Sequence, residues 1–192
     1  MTKTRLEAFS DGVLAIVITI MVLELKVPHE ATWEALYERL PVFISYVLSF
    51  IFIGIYWGNH HHLIHTVKKI NGKLIWSNLH LLFWLSVIPF TTGWMGENDF
   101  AQNTVAVYGV NLLLCAIAFW FLQQVIMPQQ ESNNKLAEAL EKQKYKGYIS
   151  LTGYIAAVPL AFVSIYVSGM IFVLIAIIWI VPDKNIERVL GE

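Results

Sequence analysis

Two groups of polar residues stand out in a strongly apolar chain, and both are of types that do chemistry. The first comprises Arg5, Ser10 and Asp11, at the head of an apolar segment in which only Thr19 is polar between positions 13 and 23. The second is the run WGNHHHLIH at 57–65, which holds four histidines. Charged groups in a membrane segment contact protein or water, and imidazoles bind metal or titrate near neutral pH. These two groups of residues are therefore compatible with ion conduction, metal binding or pH sensing.

The histidine spacing is compatible with metal binding but incomplete for a metal enzyme. His61 and His65 lie one helical turn apart, with His60 and His62 on either side of His61. A catalytic zinc site uses three protein ligands and an open position, and this stretch holds no Asp or Glu. We therefore predict interfacial histidines at a helix end. The alternatives are a pH-sensitive gate and a membrane-embedded metal-binding protein or enzyme that uses the cluster, with His61 and His65 as candidate ligands.

Composition indicates that membrane helices position these side chains. The 192 residues are 57% hydrophobic and 14% charged, whereas soluble domains carry about 25% charged residues. The net charge of −1 gives no reason to expect a nucleic-acid partner, and the single cysteine, Cys115, provides no disulfide framework. The sequence therefore predicts one all-α domain over residues 1–192, embedded in a lipid bilayer.

Six segments predict transmembrane helices, since a helical span takes about 20 mostly apolar residues. They cover approximately residues 9–25, 41–64, 74–95, 104–127, 148–167 and 168–181. Pro159 predicts a kink in the fifth helix, the fifth and sixth helices are divided near Ser168 and Gly169, and Pro182 and Asp183 close the sixth. The stretch NKLAEALEK at 134–142 predicts a short amphipathic connector helix. The fold expected is a six-helix integral membrane bundle.

The basic residues predict the orientation of this bundle. Six spans place both termini on one side, and that side holds all of the 13 Lys and Arg residues except Lys26 and Arg39. Basic residues favour the cytoplasmic side, so both termini are expected in the cytoplasm. In the second helix, small residues four apart predict close helix packing, at Ser45, Ser49, Gly54 and Gly58.

The first helix has two distinct faces when its residues are placed at about 100° each. Ile16, Ile20 and Leu23 form one aliphatic stripe with Thr19 beside it. By itself, such a stripe is more typical of a packing surface or a lipid-facing surface than of a pore.

Ser10 and Asp11 point to another face, and two interpretations of Asp11 are open. It is either a helix cap or first-turn acid near the interface, or a member of a buried polar network with Arg5, His80 or the nearby Asn78. We favour the network, because an ionisable group in a membrane segment needs partners.

These residues also carry a resemblance. Arg5, Phe9, Ser10 and Asp11 spell R-x-x-x-F-S-D at the head of the first helix. With six predicted spans, a Trp/His-rich end to the second helix and a histidine in the third, the chain resembles the transmembrane protein 175 family. That family comprises potassium channels of animal endosomes and lysosomes and their prokaryotic relatives. Animal members carry two six-helix repeats, so one repeat here is similar to a prokaryotic member.

The resemblance implies a homotetramer in a prokaryotic plasma membrane, with a central pore lined by the first helix of each subunit. By register from the F-S-D motif, the constriction falls at Ile16, Ile20 and Leu23, and Thr19 matches a threonine implicated in favouring potassium. The implied function is a modestly potassium-selective channel and not an enzyme, with K⁺ as the permeant ion and no cofactor. The residues implied to hold the first helix in place are Arg5, Phe9, Ser10, Asp11 and His80.

Overall fold

A computed structural model describes residues 2–130 and 134–180, and all regular structure in these residues is helical. The helices are α1 (Lys3–Leu23), α2 (Trp33–Tyr37), α3 (Leu40–His65), α4 (Gly72–Glu97), α5 (Gln102–Ile126), α6 (Asn134–Leu160) and α7 (Ile165–Ile180), with a 3₁₀ turn at Met127–Gln130. The six long helices confirm the predicted all-α, six-helix bundle. The short α2 belongs to the connection between α1 and α3.

The bundle is built around α4, which packs against α1, α3 and α5, while α6 and α7 complete the side next to α5. One core cluster joins α1, α3, α4 and α5, with Leu14, Ile53 and Leu85 among its buried members. A second cluster joins α3 and α5 to α6 and α7 through Phe52 and Tyr154. The first helix therefore lies at the edge of the bundle, against α3 and α4.

Length and composition make this chain a membrane protein. Within residues 2–130 and 134–180, four helical stretches are long and apolar enough to cross a membrane, at residues 3–23, 33–65, 72–97 and 102–129. In the described residues, helix α7 is apolar and has 16 residues. Helix α6 has 27 residues and starts in a polar sequence, and its apolar residues are concentrated in its second half.

The first helix begins at Lys3, earlier than the hydropathy pattern predicted. Thr2 is the N-cap, and its side chain accepts a hydrogen bond from the backbone N–H of Arg5 at 3.4 Å. A capping threonine satisfies a backbone donor that the helix itself leaves free. Because of this cap, Arg5 and the F-S-D residues lie within α1, and the charged residues extend the helix beyond its apolar part.

The predicted boundary between the last two helices is wrong. The connector at 134–142 and the fifth helix form one continuous α6, which ends one residue after Pro159 instead of continuing through a kink. The turn lies at 161–164, and Ser168 is inside α7, where its buried Oγ donates to the carbonyl of Ala157 at 3.0 Å. This bond joins α7 to α6 at the place where the turn was predicted. Pro182 and Asp183 lie outside the described residues.

The small residues of α3 are used unequally. A Cβ on Gly96 of α4 would lie 2.5 Å from Ser45 Oγ and 2.7 Å from Val42 Cα, so α3 and α4 touch backbone to backbone there. A Cβ on Gly54 or Gly58 would meet nothing within 4 Å in the described chain. The predicted close approach is therefore observed at Ser45, and the two glycines contribute no helix contact within the subunit.

Candidate functional site

One face of α1 is left uncovered by the rest of the chain. Ile16, Ile20 and Leu23 are 60%, 43% and 74% exposed, and Thr19 is exposed beside them. The opposite face is buried against α3 and α4, at Leu6, Ser10, Leu14, Val17 and Met21. With Phe9, which is also exposed, the uncovered stripe extends for about 21 Å along the helix at 1.5 Å per residue. An apolar face of this length has to meet lipid or another protein chain.

Thr19 is the polar member of this face. Its Oγ1 donates to the carbonyl of Ala15 at 2.8 Å, one helical turn back. A hydroxyl has one donor and two acceptor lone pairs, so this bond uses the proton and leaves the oxygen able to face a cation. The rest of the stripe offers no ligand to an ion.

A buried hydrogen-bond network fixes the other side of α1. Asn78 of α4 donates from Nδ2 to Ser10 Oγ at 2.9 Å, and its Oδ1 accepts from His60 Nε2 of α3 at 2.6 Å. Ser10 Oγ in turn donates to the carbonyl of Leu6 at 2.9 Å. All three side chains are almost fully buried. The network joins α1, α3 and α4 at one point and sets the rotation of α1 about its own axis.

Asp11 has a separate partner on the rim of α1. Trp57 of α3 donates from Nε1 to Asp11 Oδ1 at 3.0 Å, and both side chains are exposed in the single subunit. Asp11 lies in the third turn of a helix that starts at Lys3, so it is neither a cap nor a first-turn acid. Ser10 and Asp11 were predicted as a buried pair, and the structure separates them, with Ser10 bound to α4 and Asp11 to α3.

The structure places His80 outside the network. His80 is exposed, and its Nε2 accepts a hydrogen bond from Trp84 Nε1 at 3.0 Å within α4. The position predicted for His80 is taken by His60, which sequence reasoning had grouped with its neighbouring histidines. No sequence feature separates His60 from the neighbouring histidines, because its burial beside Asn59 is a property of the packed α3.

Arg5 and Phe9 also lie away from the network, on the exposed side of α1. In residues 2–130 and 134–180, the Arg5 guanidinium forms no hydrogen bond or ion pair. Their sequence neighbours Leu6 and Ser10 face inward instead. Any role for these two side chains in holding α1 therefore requires contacts outside the described part of the subunit.

The other histidines form a ring cluster at the end of α3. The ring of His61 meets that of His62 edge-on at a centroid distance of 5.6 Å and lies tilted against that of His65 at 6.0 Å. Among the described residues, no group of three or more His, Cys, Asp or Glu side chains is arranged to hold a metal ion. Lys3 Nζ donates to the carbonyl of His65, so this end of α3 is joined to the start of α1. Within the described residues, the geometry therefore shows no site for the metal-binding alternative.

Comparison with known proteins decides the family. The family model described as endosomal/lysosomal potassium channel TMEM175 matches residues 5–89. A protein of Chryseobacterium sp. (strain P1-3) named as a potassium channel is 54% identical over 192 residues, which is the full length of both chains. The chain belongs to the TMEM175 family. The resemblance carried by the R-x-x-x-F-S-D motif is thereby confirmed.

Other TMEM175 relatives extend the comparison to structure and to animals. The crystal structure of a lysosomal potassium-selective channel TMEM175 homolog from Chamaesiphon minutus matches with a TM-score of 0.81 at 28% identity, covering 92% of this chain and 95% of that one. The Gallus gallus protein named endosomal/lysosomal proton channel TMEM175 is 31% identical over 62% of this chain and 26% of its own length. The matched family region contains α1, α3 and most of α4, so it includes the whole of the network around Asn78.

Proposed function

We propose that this chain forms a potassium-selective channel whose ion pathway runs between the α1 helices of four identical subunits. The observation that supports this best is the uncovered aliphatic face of α1, at Ile16, Ile20 and Leu23, on a helix that is fixed from behind. The relative from Chryseobacterium sp. (strain P1-3), which matches the full length of the chain, is named as a potassium channel. Assembly about a central axis would bring four such faces together and bury them away from lipid.

The proposed constriction is hydrophobic. A narrow lumen lined by isoleucine and leucine holds no stable water and closes by dewetting. The stripe has no carboxylate, so it offers no strong cation site, and discrimination between K⁺ and Na⁺ rests on their dehydration costs and on the ring of Thr19 hydroxyl oxygens. We expect modest selectivity, and opening requires only a small dilation or rotation of the four helices.

The residues around Ser10 are proposed to position the pore helix. Successive residues on a helix are about 100° apart, so a rotation of α1 by one residue would turn Ile16 out of the lumen. Two hydrogen bonds on different sides of α1 oppose such a rotation: that of Asn78 with Ser10 and that of Trp57 with Asp11. Arg5 and Phe9, exposed on the lumen side, are proposed to contact the neighbouring subunit.

The proposed location is the plasma membrane of a prokaryote, with both termini in the cytoplasm. The support is the distribution of basic residues, which leaves Lys26 and Arg39 alone at the opposite end of the described bundle.

Cation flux from proteoliposomes tests the proposal. Vesicles loaded with K⁺ are compared in external K⁺ and Na⁺ for the wild type, Ile16→Asn, and Ile177→Asn, an equally exposed isoleucine on α7 that serves as control. We expect K⁺-preferring flux in the wild type and in Ile177→Asn. Ile16→Asn should conduct about tenfold faster with less selectivity, which corresponds to a barrier lower by about 1.4 kcal/mol.

Two results would overturn the proposal. Equal effects of the two substitutions would mean that position 16 faces lipid like position 177. Absence of flux from both the wild type and Ile16→Asn, in protein that is folded and inserted, would mean that α1 lines no ion pathway.

A further inference from the structure

A cavity of about 430 Å³ opens at the end of the bundle where α1 finishes. Its walls come from the segment 24–28 after α1, from α2, and from the adjoining ends of α3 and α4. Most of the wall is apolar, including Leu36, Leu40 and Phe43. This volume lies within the range of about 300–1,000 Å³ typical of ligand pockets.

The cavity lies where the chain changes from membrane hydrocarbon to the polar interface. Helix α1 is apolar through Leu23 and is followed at once by charged residues, while α4 reaches its charged end at Glu97 on the same side. Helix α2, which forms part of the wall, exposes Trp33 and Tyr37. Trp and Tyr collect at the headgroup level of membranes, so these two exposed side chains indicate a cavity that would open toward lipid headgroups, with its apolar wall toward the acyl chains.

Four charged side chains line this cavity, and two of them pair with each other. Lys26 Nζ forms an ion pair with Glu97 Oε1. Within the described part of the chain, the guanidinium of Arg39 and the carboxylate of Glu24 have no ion pair or hydrogen bond. One cation and one anion therefore remain available beside an apolar wall.

We propose that this cavity binds a phospholipid with a zwitterionic, amine-bearing headgroup, of the phosphatidylethanolamine type. The planar fork of Arg39 matches the oxygens of a phosphate, and the carboxylate of Glu24 accepts hydrogen bonds from the primary amine. One acyl chain lies along the wall formed by Leu40 and Phe43. A choline headgroup carries the same phosphate and charge but no N–H donor for Glu24, so it binds more weakly.

The position of the cavity gives the lipid a means to act on α1. The segment 24–28 continues directly from Leu23 and forms part of the wall, so an occupied cavity holds the last turn of α1. That consequence rests on the proposed channel function, whereas lipid binding itself does not. Binding is therefore measured without reference to flux.

Native mass spectrometry of the detergent-purified protein, with added phosphatidylethanolamine or phosphatidylcholine, tests the proposal. The test variant is Arg39→Gln. The control is Lys73→Gln, which also removes one positive charge but lies exposed at the other end of the bundle. We expect retained phosphatidylethanolamine in the wild type and in Lys73→Gln. Arg39→Gln should lower retention about tenfold, as loss of charge-assisted hydrogen bonds implies. Glu24→Met, which removes the acceptor and keeps a side chain of similar length, should abolish the preference for ethanolamine over choline.

A second variant tests the same proposal if Arg39→Gln does not fold. Leu40→Trp keeps the charges and fills the cavity, so it should also lower lipid retention about tenfold. Equal retention in Arg39→Gln and Lys73→Gln would overturn the proposal. Displacement of the lipid by inorganic phosphate would assign the site to a free anion and also overturn it. Loss of the oligomer in Arg39→Gln with unchanged lipid retention per subunit would show instead that a neighbouring subunit fills the cavity.

Discussion

Among single residues, Asn78 has the largest role in seating α1. Its amide is hydrogen-bonded on both sides, by Ser10 of α1 and His60 of α3, in a place with almost no exposure. Removing one member of a buried hydrogen-bond network leaves the others unsatisfied, and each such group costs about 1–3 kcal/mol. In a membrane interior no water replaces the lost partner.

We therefore expect Asn78→Ala to destabilise the protein by about 2–4 kcal/mol, since both Ser10 and His60 lose a partner. The measurement is thermal unfolding of the purified protein, followed by tryptophan fluorescence. Asn103→Ala, an exposed residue near the start of α5, is the matched control and should leave the midpoint almost unchanged. A shift of the same size in the two variants would remove the special role of the network.

The ion pair at the cavity makes a separate prediction at this scale. The hydrogen bond from Lys26 to Glu97, and then the charge of Glu97, raise the pKa of the Lys26 amine above its ordinary value. The pair contributes stability that is fully present below the ordinary lysine pKa and is lost as pH rises through the raised one. Only the neutral amine reacts with acylating reagents, so Lys26 should be acylated slowly at pH 9.

Glu97→Gln should make acylation of Lys26 several-fold faster, because the amine then loses its proton at lower pH. Peptide mass spectrometry measures the rate at each lysine, and exposed Lys73 in the same molecule is the internal control. If the rate at Lys26 relative to Lys73 is the same in wild type and variant, Glu97 does not hold the proton on Lys26.

Between the elements, the contact of α3 with α4 depends on a glycine. An alanine Cβ at Gly96 would be driven into Ser45 Oγ and the backbone at Val42. Backbone atoms move only if the helices separate, so Gly96→Ala should cost about 1–3 kcal/mol or more. Gly72→Ala, at the open start of the same helix where a Cβ meets nothing within 4 Å, should be neutral or slightly stabilising. Denaturation midpoints compare the two, and a similar effect at both sites would contradict the close approach.

The helix boundaries show how much of the fold hydropathy alone predicts. The apolar runs predicted α3, α4 and α5 to within about two residues at each end, because their ends coincide with polar loops. They placed the start of α1 and the division of α6 from α7 incorrectly. Those ends depend on a cap at Thr2 and on a tertiary bond from Ser168 to α6, and neither changes the local hydropathy.

For the same reason the polar partners were only partly predictable. The cost of polar groups in a membrane indicated that Ser10 and Asp11 need partners, and helical periodicity gave the directions in which they point. Which helix lies in that direction is a property of the packed bundle. His60 and His80 therefore could not be distinguished, although the stripe at Ile16 and Ile20 could be drawn correctly on the exposed face.

In the whole molecule, α1 lies at the edge of the bundle. Its inner face belongs to the core that it shares with α3, α4 and α5, and its outer face, at Ile16, Ile20 and Leu23, is not covered by the described chain. A single helix cannot enclose an ion pathway, so the proposed pathway between α1 helices would need several copies in one orientation. Orientation is therefore a property that all subunits must share, and it depends on the distribution of charge at the two ends of the bundle.

The two ends of α4 provide a direct test of that orientation. Gly72 and Asn98 are exposed and uncharged, and about 39 Å of helix separates them at 1.5 Å per residue. The only cysteine of the chain, Cys115, is completely buried, so a membrane-impermeant thiol reagent should leave the wild type unlabelled. Neither change alters the basic residues that set topology, so both variants should insert like the wild type. In intact spheroplasts we expect labelling of Asn98→Cys, at the outer end of α4. Gly72→Cys, at the cytoplasmic end, should be labelled only after permeabilisation. The reverse pattern would place the termini outside. Labelling of both variants in intact cells would mean that subunits insert in both directions, which is incompatible with four α1 helices arranged around one axis.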